Sequence, residues 1–235
     1  MHIPDGYLSP QTYGTMYAVM TPLWWRAAAG VRAALPKKNL HLVAMAGAFS
    51  FVIMMFNIPI PGGTTGHAVG GALAAIVLGP WAAMVAVSTA LVIQALVFGD
   101  GGVTAIAANC FTMAFIMPFS AFYIYRFIAG RTASFGLKQR LGAFLAGYVS
   151  IVLAAMAAGL LLGLQPLIAT SAGRPLYAPY PISVAVPAMA VSHLLFFGPI
   201  EGLVTALAVA YFARADSPVG PAWQRAALSR EGTSA

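Results

Sequence analysis

Apolar residues run almost unbroken over 6–26, 40–59, 67–79, 81–99, 103–128, 141–164 and 184–213. Turn chemistry separates the runs: Pro36-Lys-Lys-Asn, Ile58-Pro-Ile-Pro-Gly-Gly, Gly79-Pro80, Gly99-Asp-Gly-Gly, Gly130-Arg131 and a proline-rich stretch from Gln165 to Pro181. Runs of about 20 apolar residues are long enough to cross a bilayer as helices. The run over 67–79 is the exception, since its 13 residues reach only ~20 Å against a hydrocarbon core of ~30 Å. Such a helix suits a position buried within protein. The pattern predicts an all-α integral membrane protein, a seven-transmembrane-helix bundle forming one domain over 1–235, with 214–235 as a tail.

Composition supports a lipid solvent. The 235-residue chain is 60% hydrophobic and 7% charged, with mean hydropathy +0.85, whereas soluble domains carry roughly 25% charged residues. The net charge of +7 is clustered: Arg26, Arg32, Lys37 and Lys38; Arg126, Arg131, Lys138 and Arg140; and Arg214, Arg225 and Arg230. Basic residues in short loops stay cytoplasmic. Keeping the first two clusters on one side requires an even number of crossings between them, hence a turn at Gly79-Pro80. This arrangement predicts an N-terminus outside and a cytoplasmic C-terminus, and it removes the case for nucleic acid. No Gly-x-x-x-x-Gly-Lys-Ser/Thr loop occurs, so any ATP hydrolysis is expected in partner proteins. The single Cys110 lies in an apolar run and reads as a packing residue.

The N-terminus lacks the basic region of a cleavable signal and carries Pro4 and Asp5 where an apolar stretch would begin. His2 is too large for efficient trimming of the initiator methionine, so a free Met1 amine is expected. A Met-His start offers one metal ion the Met1 amine, the His2 backbone nitrogen and His2 Nδ1, closing five- and six-membered rings. A planar nitrogen set suits Ni(II) or Cu(II) better than tetrahedral Zn(II). His67 follows Gly62-Gly-Thr-Thr-Gly66 and opens the short third run, where it would supply a fourth nitrogen; the plainer alternatives are a loose terminus and a capping or interfacial histidine. Pro4 and Gly6 restrict and turn the terminal segment. Asp5 is expected to cap the first helix, or alternatively to orient a ligand imidazole.

Met1-His-Ile-Pro-Asp-Gly-Tyr-Leu-Ser-Pro10, Gly62-Gly-Thr-Thr-Gly-His67 and Phe98-Gly-Asp-Gly-Gly102 resemble the CbiM/NikM family, the substrate-binding membrane subunits of cobalt and nickel energy-coupling factor transporters. The resemblance covers essentially the whole chain. It implies a seven-helix subunit whose outward N-terminus inserts into the bundle and binds one metal through Met1, His2 and His67. It also implies a transmembrane coupling subunit, two cytoplasmic ABC-type ATPases and often a small accessory membrane protein. The implied substrate is Co²⁺ for cobalamin synthesis, with Ni²⁺ as the alternative; no permanent cofactor and no enzymatic activity are expected, and the setting is a prokaryotic inner membrane.

Glu201 is the carboxylate well inside a predicted span. It reads as part of a structural hydrogen-bond cluster with His193, or alternatively as a metal-entry group. Asn57, Gln94, Asn109 and Thr104 could line the site, although hydrogen bonding between helices is the plainer role. Asp100 either attracts cations or merely favours its turn. Small-residue spacings such as Ala44-x-x-x-Ala48 permit close helix contact, either within the bundle or against the coupling subunit. Two rivals remain: a stand-alone cation channel or permease, and an intramembrane hydrolase using Ser88, or Ser192 with His193, which lacks a nucleophile motif.

Overall fold

The computed structural model describes residues 1–34, 40–60, 64–130 and 135–214. The Pro36–Asn39 turn, Gly62, Gly63, Arg131 and the tail beyond Arg214 lie outside them. The described residues are mostly helical. Four helical stretches are long and apolar enough to cross a membrane: Pro80–Phe98, Ile106–Ala129, Leu137–Ile168 and Ile182–Arg214. The apolar helix Leu40–Met54 is shorter.

In chain order the helices are α1 (Pro10–Ala34), α2 (Leu40–Met54), α3 (Gly71–Leu78), α4 (Pro80–Ile93), α5 (Ile106–Asn109), α6 (Met117–Ala129), α7 (Leu137–Gly163), α8 (Gln165–Ile168), α9 (Ile182–Ser192) and α10 (Gly198–Arg214). Three π-helical segments, Gln94–Phe98, Cys110–Ile116 and His193–Phe197, extend α4, join α5 to α6 and join α9 to α10. Such wide turns are frequent at functional sites.

Several predicted boundaries move. The first helix begins at Pro10 rather than residue 6, because residues 1–9 form an irregular arm. Ser9 and Thr12 hydroxyls meet at 3.0 Å, and the Ser9 N–H donates to Gln165 Oε1 at 2.8 Å, satisfying groups that a free helix end leaves open. The second run stops at Met54 instead of 59. Pro59 has no N–H to extend a helix, and the chain instead forms a hairpin, β1 (Ile58–Ile60) against β2 (Thr64–Gly66). A second small hairpin pairs β3 (Thr170–Ser171) with β4 (Arg174–Pro175). The all-α expectation therefore omitted two hairpins. The third run shrinks to α3, every residue of which is buried, and His67 lies before this helix rather than on it. The turn expected at Gly79-Pro80 is present: Gly79 has φ 91° and Pro80 takes the first turn of α4, where a missing N–H is harmless. The later spans begin and end within a few residues of 103–128, 141–164 and 184–213.

Helix α7 packs against α6, α9 and α10. Glycines permit the approach: a Cβ on Gly147 would lie 2.8 Å from Glu201 O and 2.9 Å from Gly202 Cα, and one on Gly202 would lie 2.8 Å from Phe144 O. Without a hydrophobic driving force between helices in lipid, such close contact is a main source of association. Large apolar side chains, among them Trp25, Phe127 and Tyr211, face outward.

Gly147→Ala should therefore destabilise the protein by about 1–3 kcal/mol through overpacking. Gly14→Ala, on α1 with nothing within 4 Å of the added Cβ, should stabilise it by about 0.5–1 kcal/mol. Thermal unfolding in detergent distinguishes the pair.

Candidate metal centre

The arm of residues 1–9 turns into the bundle and buries its first three residues: Met1 and Ile3 are fully buried and His2 is 5% exposed. A backbone without regular structure needs other partners for its N–H and C=O groups. Asn109 supplies two of them, accepting from Ile3 N at 2.8 Å through Oδ1 and donating to Ile3 O at 3.1 Å through Nδ2. Gly102 N donates to the same carbonyl at 2.9 Å. Further along, Ala178 N donates to Tyr7 O at 3.1 Å and fastens the 165–181 segment over the arm.

The Phe98–Gly102 turn is shaped to the arm. A Cβ on Gly102 would fall 2.4 Å from Asp5 N, and one on Gly101 would fall 3.2 Å from Asn109 Nδ2 and 3.5 Å from the His2 ring. Gly101 also has φ 92°, a conformation that side-chain-bearing residues resist. Asp5 does not cap α1. Its carboxylate accepts from Val103 N at 3.0 Å, Thr104 N at 2.9 Å and the Thr104 hydroxyl at 2.5 Å. The reason is distance along the chain: four residues separate Asp5 from Pro10, and Ser9 already fills the capping role. The Thr104 hydroxyl, against the opposing effect of burial and with help from these amides, holds the Asp5 carboxyl below its ordinary value.

At the tip, the Met1 amine donates to Thr65 O and lies 3.4 Å from Thr65 Oγ1. Burial pushes this amine from its ordinary 8.0 down to about 4, the Asp100 carboxylate opposing the change. It is therefore neutral near pH 7: an N–H bonds the Thr65 carbonyl, and the neutral amine carries a lone pair. The His2 and His67 rings stack with centroids 4.6 Å apart and planes 21° from parallel. His67 Nδ1 bonds Ala68 O at 3.0 Å, which makes Nδ1 the protonated nitrogen and leaves Nε2 as a lone pair. His67 Nε2 and both His2 nitrogens are buried without a hydrogen-bond partner. His2 Nδ1 lies 3.2 Å from Asp100 Oδ1, close enough for charge attraction although off the hydrogen-bonding direction.

Asp100 rather than Asp5 is thus the carboxylate beside the imidazole. Asn57 Nδ2 donates to Asp100 Oδ2 at 2.9 Å and fixes it. Burial would raise the Asp100 carboxyl, but the His2 ring, the Asn57 amide and the Met1 amine outweigh it and hold it low. Asn57 thus bonds the carboxylate beside His2, and Asn109 bonds the peptide that follows it. Glu201 does not pair with His193. It accepts from Val69 N at 2.8 Å and Gly70 N at 3.0 Å, while His193 Nδ1 bonds Met189 O at 2.8 Å within its own helix. The structure adds Thr65 O, the Gly101 and Gly102 backbone and Gln165 to the residues that build the site. A carbonyl leaves no mark in a sequence, but Gly-Gly beside an aspartate marked the close approach.

Among the described residues, no three His, Cys, Asp or Glu side chains gather as a metal cluster. The gathered donors are instead an amine and two imidazoles. Leaving several polar atoms buried and unpaired is costly, and nitrogen lone pairs of this kind are the ligands that late first-row metal ions take.

Residues 2–219 match the family CbiM, described as the cobalt uptake substrate-specific transmembrane region. The chain is 51% identical over 218 residues to the fused nickel transport protein NikMN of Rhodobacter capsulatus, covering 92% of this chain and 62% of that protein. It is 36% identical over 156 residues to the cobalt transport protein CbiM of a Nostoc species, covering 65% of this chain and 58% of that one. The chain thus spans under two thirds of the length of either relative. Among solved structures, the crystal structure of a truncated transition metal transporter is similar with a TM-score of 0.88 and 49% identity, over 92% of this chain and 99% of the other.

Asn109→Ala should loosen the arm by about 1–3 kcal/mol, because it strands the buried Ile3 N–H; faster proteolytic clipping within residues 1–9 would report it. The metal-free protein should also become more stable as pH rises from about 4 to 8 and level off above. The folded amine sheds its proton near 4 and the unfolded one near 8, so the unfolded state binds more protons in that window. Thermal midpoints across the range check this, and N-terminal acetylation should abolish the amine's share of the slope.

Proposed function

Because the chain belongs to the CbiM family, we propose that it is the metal-capturing membrane subunit of an energy-coupling factor transporter, binding Ni²⁺ or Co²⁺ through Met1, His2 and His67. The observation that carries the reading is the gathering of a neutral buried amine and unpaired imidazole nitrogens at the tip of a clamped arm. The Met1 amine, the His2 peptide nitrogen and His2 Nδ1 form the chelate, and His67 Nε2 adds the fourth nitrogen. Asp100 lends negative charge beside His2, and Asn57 and Asn109 hold the surrounding segments. Metal capture displaces the proton of the His2 peptide, so binding weakens in acid.

A nitrogen-only planar set favours Ni²⁺, and the nickel-named relative above shares more identity with this chain than the cobalt-named one. Nickel is accordingly the preferred substrate here. The cobalt expectation keeps the support of the family's description, and metal analysis of the purified protein decides between them.

The subunit binds and releases rather than catalyses. Four long helices together with α1, α2 and α3 make up the seven-helix arrangement, with the arm outside and the basic ends of α1, α6 and α10 in the cytoplasm of the cell membrane. ATP hydrolysis belongs to partner ATPases coupled through a second membrane subunit, with a small accessory membrane protein joining in some assemblies. A stand-alone permease would import metal without those partners, and uptake assays with and without them separate the two.

One added residue before Met1, or acetylation of its amine, should abolish Ni²⁺ binding and uptake while leaving the helices folded. Full binding by the extended protein would exclude the amine as a ligand.

A further inference from the structure

Glu201 lies on α10, far in sequence from the arm and the His67 loop, and is fully buried. Both its oxygens accept hydrogen bonds. Oε2 takes Val69 N at 2.8 Å and Gly70 N at 3.0 Å, and Oε1 takes Gly70 N at 3.0 Å. Only N–H donors face it, an arrangement that fits a carboxylate and offers a carboxylic acid nowhere to donate. Among the described residues no cationic side chain pairs with it; the one carboxylate found beside a basic side chain is Asp100, 3.2 Å from His2 Nδ1. A carboxylate in this position is expensive within a membrane protein and marks a function.

Those two amides begin two residues after His67. Between them and His67 stands Ala68, whose carbonyl receives His67 Nδ1 at 3.0 Å. Gly70, with φ 73°, turns the chain from this loop into α3. The carboxylate therefore clamps the peptide segment that itself orients the imidazole. The base of the clamp is closely packed. At Glu201 the α10 backbone meets α7 so closely that a Cβ on Gly147 would lie 2.8 Å from Glu201 O. The connected path runs from the α7–α10 contact through the Glu201 carboxylate to the Val69 and Gly70 amides, then through the Ala68 carbonyl to His67.

We propose that Glu201 is a positioning residue for the metal: it aims His67 Nε2 and ties the metal geometry to the placement of α10. This rests on the reading of His67 as a ligand. Residues that orient ligands from behind typically change metal affinity 10–100-fold when removed. The carboxylate also places a negative charge next to the loop that would receive a divalent cation.

The test compares wild type, His67→Ala, Glu201→Gln and Glu201→Asp in the full chain in detergent, with Ni²⁺ as the probe. Affinity, the visible absorption band at saturating Ni²⁺ and metal-free thermal unfolding are measured. His67→Ala should lose tight binding; if it binds as wild type does, the ligand reading itself fails. Glu201→Gln keeps the size but turns an amide N–H toward donors. It should bind Ni²⁺ at least tenfold more weakly, with a shifted or broadened band even when saturated. Glu201→Asp retains the charge with shorter reach and should fall between, so it decides the matter if the Gln variant does not fold. A role confined to packing would lower the unfolding temperature and leave the saturated band unchanged. Wild-type affinity and band in a folded variant, with His67→Ala defective, would overturn the positioning role alone.

Discussion

The grip of Asn109 on the Ile3 peptide is the contact on which the rest of the site depends. A chain end is ordinarily the most mobile part of a protein, because fixing each residue costs about 1–2 kcal/mol of conformational entropy. Here the arm carries its unpaired peptide groups into an apolar bundle, where each would be costly if left unmet. Two side-chain bonds from Asn109 and one amide from Gly102 satisfy Ile3 in both directions. With that residue fixed, Met1 and His2 have little freedom, and their nitrogens fall beside His67. Preorganisation of this kind lets a short segment hold a ligand constellation that usually requires rigid elements.

Polar groups in this protein are concentrated where the arm enters. Three π-helical segments adjoin the same region: one leads to the Asp100 turn, one follows Asn109, and one begins at His193. Phe197, on the last of these, occupies the space that a Cβ on Gly66 would need. Each wide turn shifts the register of its helix by a residue, which brings a side chain to the site that a regular helix would place elsewhere. Away from this level the bundle is held by glycine and alanine contacts and has few polar atoms to satisfy.

The membrane spans were legible because lipid imposes a coarse, one-sided demand: long apolar stretches separated by glycine, proline and charge. The break at Gly79-Pro80 was legible for the same reason. What sequence reading missed were local competitions. Residues 55–60 are apolar enough to prolong α2, yet Pro59 cannot join a helix and the chain turns into a hairpin. Asp5 had the look of a helix cap, but its partners are amides at 103 and 104, about a hundred positions away. Glu201 was expected to cluster with His193, but its partners are backbone amides, which every residue but proline carries and no pattern singles out. What singled out Met1 and His2 in the sequence was the unusual chemistry of an amine next to a histidine, whereas no periodicity or spacing required the His67 ring to stack on His2 as it does.

A site of this design sets a constraint on release. If these nitrogens hold a metal as proposed, their burial and low proton affinity mean that protonation near neutral pH would not free it. Letting go must then be mechanical, through separation of the donors. The nitrogens sit on two segments that are joined at the tip, where the Met1 amine donates to Thr65 O. Met1 and His2 belong to the arm, held by the 99–104 turn and Asn109, whereas His67 belongs to the loop clamped by Glu201 on α10. A tilt of α10 that drew His67 away from the arm would break the Met1–Thr65 bond and part the stacked His2 and His67 rings. Displacing the arm instead would expose the Ile3 peptide and the amine at once. Either motion severs contacts at the tip, and α7 is itself tied to the arm, since Gln165 just beyond its end accepts from Ser9 N at 2.8 Å.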